Sequence, residues 1–182
     1  MKTLITALAI AAASLSAACT DLKQPPVATR PSAADSAEQV LVGVRTMLTS
    51  KGIQRGELMA DTAYIYDDQT RFDLRKVRVN FNTETGAPQG TMRADRGIYS
   101  TRSEIVEAFG NAVVTFVDGR SLKSPHLIYK RNVNDISSDT TFEISGPKGT
   151  YSGVGVSFDP GFTRFTCQRN CGGSSAVVLP NR

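Results

Sequence analysis

Few side chains in this 182-residue chain are suited to covalent or acid–base chemistry. It has one histidine, His126, and three cysteines, Cys19, Cys167 and Cys171. A zinc centre or a histidine-based triad needs a richer donor set than that. Asp61 and Asp95 occupy equivalent places in an internal repeat, and paired carboxylates can share acid–base work. Repetition accounts for them more simply, as markers of bends. His126 follows Pro125 with no predicted cysteine or carboxylate cluster, which predicts a turn or surface role. Gly153-Val154-Gly155-Val156 lacks the lysine of a phosphate-binding loop and reads as strand with a bulge. No G-x-S-x-G, P-loop or HExxH pattern is present. No catalytic residue, metal site or cofactor is expected.

The cysteines carry a different chemistry. Residues 1–18 have a basic start at Lys2, an apolar centre from Leu4 to Ala13, and small residues before Cys19. This is the layout of a secretory signal peptide, and the apolar run is about half of the ~20 residues a spanning helix needs. Leu15-Ser16-Ala17-Ala18-Cys19 resembles the bacterial lipoprotein box, in which the cysteine thiol receives a diacylglycerol. The usual leucine position holds Ser16, so cleavage after Ala17 or Ala18 with a free thiol is the alternative. If Cys19 is lipidated, Cys167 and Cys171 remain and can pair, as an oxidising compartment allows. Residues 19–38 are polar, contain three prolines and show no periodicity, which predicts a flexible tether.

From Gln39 onward the chain aligns with itself. Glu57–Ile65, Thr91–Tyr99, Ser121–Tyr129 and Thr150–Phe158 share an apolar residue, a small residue and a bulky residue at matching places. Each follows a turn and another apolar run: Val40–Thr49, Phe72–Asn82, Glu104–Val117 and Ile136–Ser145. Phe162–Cys167 is the last predicted strand. Alternation and β-branched residues favour strand over helix, even in Val40–Leu48. The best-marked hairpin joins Glu104–Val117 to Leu122–Tyr129 through Asp118-Gly119, read as a two-residue type I′ turn. Gly110-Asn111 predicts a bulge in its first strand.

The alternation also slips phase. Leu58 and Ala60 are two apart, but the next inward candidate, Ala63, is three further on. Ala94 to Gly97 and Ser124 to Leu127 repeat the slip. An odd step reverses side-chain direction unless the backbone absorbs it, which predicts a bulge or sharp bend near Asp61, Asp95 and Pro125. The expected architecture is all-β: about nine strands joined by hairpins over residues 39–167, followed by a disordered tail at 168–182. Regular strand spacing suits a sandwich, a jellyroll or a solenoid.

Residues 39–160 resemble the periplasmic OstA-like β-jellyroll proteins of lipopolysaccharide export, and most closely the LptC type. The resemblance rests on Gly56–Tyr64, Met92–Tyr99, Gly110-Asn111 with Val113, Ser121-Leu122 with Leu127–Tyr129, and Gly153–Asp159. It implies an antiparallel twisted β-jellyroll with an open apolar groove. Such a protein accepts lipopolysaccharide from an inner-membrane ABC transporter. It passes the lipid to an LptA-like jellyroll joined by edge-strand addition. A lipoprotein-like leader here stands where the LptC type usually has a membrane helix, which leaves the membrane of residence open.

Acyl chains need a lining shielded from water, worth roughly 0.8 kcal/mol per buried CH₂. The candidates in the first runs are Leu58, Ala60, Ile65, Val79, Phe81 and Met92. Further along they are Ala94, Tyr99, Val113, Leu122, Tyr129, Phe142 and Ile144. These residues could equally pack on one another in a closed core, as in a structural β-sandwich envelope lipoprotein without a lipid ligand. The expected free edges are Val40–Leu48 and Phe162–Cys167. The formal charge of +4 suits plain solubility or weak attraction to anionic head groups. Arg75-Lys76 and Lys130-Arg131 are basic pairs that could meet lipid phosphates. No nucleic-acid partner is indicated.

Overall fold

The computed structural model describes residues 36–147 and 149–174. The leader, Cys19 and most of the tether lie outside the described residues. Nine strands follow one another: β1 (Gln39–Ser50), β2 (Ile53–Tyr66), β3 (Arg71–Asn82), β4 (Pro88–Ser100), β5 (Ile105–Phe116), β6 (Ser121–Lys130), β7 (Asp135–Gly146), β8 (Gly149–Phe158) and β9 (Phe165–Gly173). Each pairs antiparallel with its neighbour in sequence, giving one sheet in the order β1 to β9. The sheet is open, with β1 and β9 as its edges. A meander of this kind needs only short connections, which explains the regular turn signals.

The sheet rolls so that one face meets itself. Phe81 on β3 meets Tyr129 on β6, with ring centroids 4.9 Å apart. Phe116 on β5 meets Phe158 on β8 at 5.7 Å. These strands are not neighbours in the sheet, so the contacts cross the interior. Residues from β1 to β9 join in a single apolar cluster.

The phase slip is present in the burial pattern. Ala60 and Ala63 are buried while Asp61 and Thr62 between them are not. Ala94 and Gly97, and Ser124 and Leu127, repeat this. The backbone device sits largely on the odd-numbered partners, however. Gly43 on β1, Lys76 on β3 and Gly110-Asn111 on β5 have positive φ. The extra residue that shifts the ladder lies on β5, where Arg93 pairs Val113 but Arg96 pairs Phe109. The bends predicted at Asp61, Asp95 and Pro125 are therefore made by a row crossing several strands. Visits to the left-handed region flip side-chain direction, and Gly and Asn tolerate them.

Two local expectations change. The β5–β6 turn is not type I′: Gly119 has φ +85° but Asp118 is not left-handed. The Gly119 N–H donates to Phe116 O at 3.1 Å and the Phe116 N–H to Arg120 O at 2.9 Å. That is a three-residue loop with its glycine at the left-handed position. The last strand begins at Phe165, not Phe162, and runs through Gly173 into the stretch expected to be disordered. Phe162 is buried in the preceding loop with φ +53°.

Candidate functional site

The apolar interior is built mainly from inward residues of β2 to β8, with Leu48 from β1 and Phe165 from β9. Leu58, Ala60 and Ile65 on β2, Val79 and Phe81 on β3, and Met92, Ala94 and Tyr99 on β4 are all buried. So are Leu122 and Tyr129 on β6 and Phe142 and Ile144 on β7. Val113 is the exception. The bulge at Gly110-Asn111 turns Ala112 and Val114 inward and leaves Val113 on the outer face, between Arg93 and Lys123. Strict alternation across that bulge could not find this. It also missed Ala108, Ala112 and Phe116, which are buried.

The interior is filled by its own side chains in this structure. Phe142 meets Phe165 at 6.0 Å, and Phe162 meets Phe165 at 5.4 Å. Arg120 stands over the Phe162 ring at 4.1 Å and holds that loop against the sheet. Burial pushes the Tyr129 hydroxyl up to about 12, and the group donates to Asn134 Oδ1 at 3.0 Å.

The longest lapse in the sheet's ladders lies between β6 and β7. Their ladder lapses from the Lys123–Glu143 pair to the Ile128–Ser137 pair. Hydroxyls close the breach: Ser124 Oγ lies 3.1 Å from Ser138 Oγ and 3.0 Å from Thr140 Oγ1. An outer recess of about 680 Å³ lies here, lined by Ala112, Val113, Pro125 and Phe142 among others. Phe142 thus belongs both to the interior and to this recess.

Both edges are exposed strands. On β1, Val42 is 83% exposed and Met47 52%. On β9, Cys167 and Cys171 form a disulfide with Cα atoms 6.1 Å apart. A fully extended strand would place residues of that spacing about 13 Å apart. The bridge therefore spans a contracted stretch, with Asn170 at φ +51° inside it.

His126 departs from expectation. Its ring stacks on Phe109 at 4.5 Å, its Nε2 lies 3.2 Å from Glu107 Oε2 and its Nδ1 4.0 Å from Asp139 Oδ1. The carboxylates come from β5 and β7, so only pairing across three strands reveals them. Asp61 and Asp95 do not form a carboxylate pair: Asp95 accepts from Asn111 Nδ2 at 2.7 Å and lies 3.9 Å from Lys76 Nζ. Of the basic pairs, Arg131 is turned inward. Its Nη1 donates to Tyr99 OH at 3.1 Å and its Nη2 to Glu104 Oε1 at 2.6 Å, so it cannot also meet lipid. The described residues include no group of three or more His, Cys, Asp or Glu placed to hold a metal. No helix among them is long and apolar enough to cross a membrane.

An open antiparallel sheet rolled around apolar side chains, with both edge strands unpaired among the described residues, defines the class as a β-jellyroll. The family model described as "Lipopolysaccharide-assembly, LptC-related" matches residues 4–166, and the chain belongs to that family. Among solved structures it is similar to LptH from Pseudomonas aeruginosa, described as the LptA homologous periplasmic component of the conserved lipopolysaccharide transport device. Identity is 14% and the TM-score 0.48, covering 69% of this chain and 87% of LptH. A search of curated proteins gives no match.

Proposed function

We propose that this protein is a membrane-tethered carrier in lipopolysaccharide export. It accepts lipopolysaccharide from an inner-membrane ABC transporter and passes it to an LptA-like jellyroll docked on a free sheet edge. Membership of the LptC-related family carries the reading, together with an apolar interior that runs from β1 to β9. Cys19 holds the domain to a membrane through its lipid, and residues 20–38 supply the reach. In this reading the energy comes from the partner ATPase.

In this mechanism lipid and inward side chains compete for the same interior. An acyl chain enters by parting the rolled faces and replacing contacts such as Phe81–Tyr129 with its own. The β6–β7 lapse, closed by hydroxyls rather than by a continuous ladder, is the part of the sheet that yields most readily. The edge strands meet partner jellyrolls by extending the ladder.

One observation favours a second reading, a structural envelope module with a closed core. The inward side chains leave almost no exposed surface, with Val79, Met92, Leu122 and Tyr129 at 0%. Site-specific photo-crosslinking in membranes decides between the two. Lipopolysaccharide adducts at Phe81 and Leu122, with none at Arg78 or Lys123, support transport. Absence of adducts at every inward position supports the structural module. Co-purification of an ABC transporter in detergent tests the partner separately.

A further inference from the structure

Across the β3–β4 ladder, Arg75 pairs Arg96 and Arg78 pairs Arg93 in direct register. All four lie on the outer face, because the kink between the pairs leaves Arg75 and Lys76 both outward. Like charges directly opposite on neighbouring antiparallel strands repel and weaken a sheet. Two such pairs on one hairpin need a compensating anion, and the fold supplies little. Of the nearby carboxylates, Glu57 is engaged by Arg45, Asp73 by Arg71 and Asp95 by Lys76, while Asp61 lines the same ground without an ion pair among the described residues, a single carboxylate against four arginines. Arg78, Arg93 and Arg96 make no ion pair among the described residues, and Arg75 lies over the Tyr64 ring at 5.5 Å.

The same ground is a furrow of about 550 Å³ lined by Arg45, Met59, Arg78 and Arg93 among others. Met59 sits directly between Arg45 and Arg78 in the cross-strand row. Exposed Val42 and Met47 continue this face onto β1. Guanidinium forks match the paired oxygens of phosphate, and apolar side chains among them suit a surface with hydrocarbon just beneath its charge. We infer that the outer face of β1–β4 is a docking surface for the anionic phosphate head groups of a membrane, with the Arg78–Arg93 pair at its centre.

This face is opposite the apolar interior, so the inference stands whether or not the protein carries lipopolysaccharide. It predicts that the domain lies against the bilayer by this face rather than hanging free on its tether. The charge of the four arginines is partly masked in sequence. Asp95 separates Arg93 from Arg96, and only strand pairing sets the arginines opposite one another.

The test is vesicle flotation of the full chain carrying Cys19→Ser, which removes the acyl attachment point. Vesicles are phosphatidylcholine alone or phosphatidylcholine with phosphatidylglycerol; any contribution of the leader to neutral binding is common to all variants. The expected result is a preference for the anionic vesicles that fades with added salt. Arg78→Ala/Arg93→Ala should weaken that preference about ten-fold or more, from the usual worth of a basic residue near an anionic surface. Arg78→Lys/Arg93→Lys, which keeps the charge and the fold, should lose only part of it. Thermal melting of the double-alanine variant should be unchanged or raised, since a repulsion is gone. Equal binding to both vesicle types, or full preference in the double-alanine variant, overturns the proposal. So does saturable binding of inorganic phosphate at this pair without vesicle binding, which would identify a free-anion site instead.

Discussion

The Phe81 and Tyr129 rings meet edge-on, 4.9 Å apart and inclined at 69°, across the interior from β3 to β6. Both side chains are essentially inaccessible to solvent. Edge-to-face contact of this kind adds about 0.5–1.5 kcal/mol to the burial of the rings themselves. The pair therefore clamps the two sides of the rolled sheet, and a ligand entering between β3 and β6 must displace it.

Phe81→Ala removes one half of the clamp and leaves a cavity. Chemical denaturation should show a loss of about 3–5 kcal/mol. If the variant still folds, a bound acyl chain should recover part of this loss by filling the space. A loss near zero would mean that the interior is already loosely packed.

Tyr129 makes stability fall in strong alkali. Burial favours its neutral form in the folded state, so its pKa rises from 10.0 to about 12. The stabilising contribution is complete below pH 10 and is lost as pH rises through about 12. Tyr129→Phe should flatten the stability profile over that interval. At neutral pH it should cost about 1 kcal/mol, for the hydrogen bond to Asn134. An unchanged alkaline profile would refute the assignment.

Gly97 is required by close packing. A Cβ there would lie 2.8 Å from Val77 Cγ2 and 2.9 Å from the Glu107 carbonyl oxygen, which is backbone and cannot swing away. Gly97→Ala should cost about 1–3 kcal/mol by calorimetry. Gly119→Ala at the β5–β6 turn meets no atom within 4 Å, but has φ +85°. Its cost should come from backbone strain alone, about 1–2 kcal/mol.

Arg131 links β4 to the β6–β7 connection through Tyr99 and Glu104. Arg131→Ala should destabilise by roughly 2–4 kcal/mol, because it breaks two hydrogen bonds, one of them to a carboxylate. Lipid binding to intact vesicles should be unaffected. A variant that folds normally but loses vesicle binding would return Arg131 to the lipid-facing set.

Reduction of the Cys167–Cys171 disulfide should loosen the end of β9. Hydrogen exchange should quicken from Cys167 to Gly173 while the β3–β6 strands keep their protection. The loop closed is short, so the overall loss should be about 2 kcal/mol or less. Collapse of protection throughout the sheet would show that β9 is integral to the core.

Much of the architecture is local and so was legible in the chain. Alternation with β-branched residues marks the strands, and Gly-containing turns at steady spacing fix the meander. Each strand pairs with its sequence neighbour, so little long-range information is needed. Even the phase slips at Ala60–Ala63 and Ala94–Gly97 could be read, because burial follows side-chain type. Tertiary pairing decided the rest. One extra residue on β5 moved Val113 outward, since a single-residue shift exchanges the two faces of a strand. His126 gained Glu107 and Asp139, and Arg78 gained Arg93, only when neighbouring strands came into register. Whether the inward row forms an open groove or a filled core was likewise beyond the sequence. Apolar residues at alternate positions serve both, and only the separation of the rolled faces tells them apart.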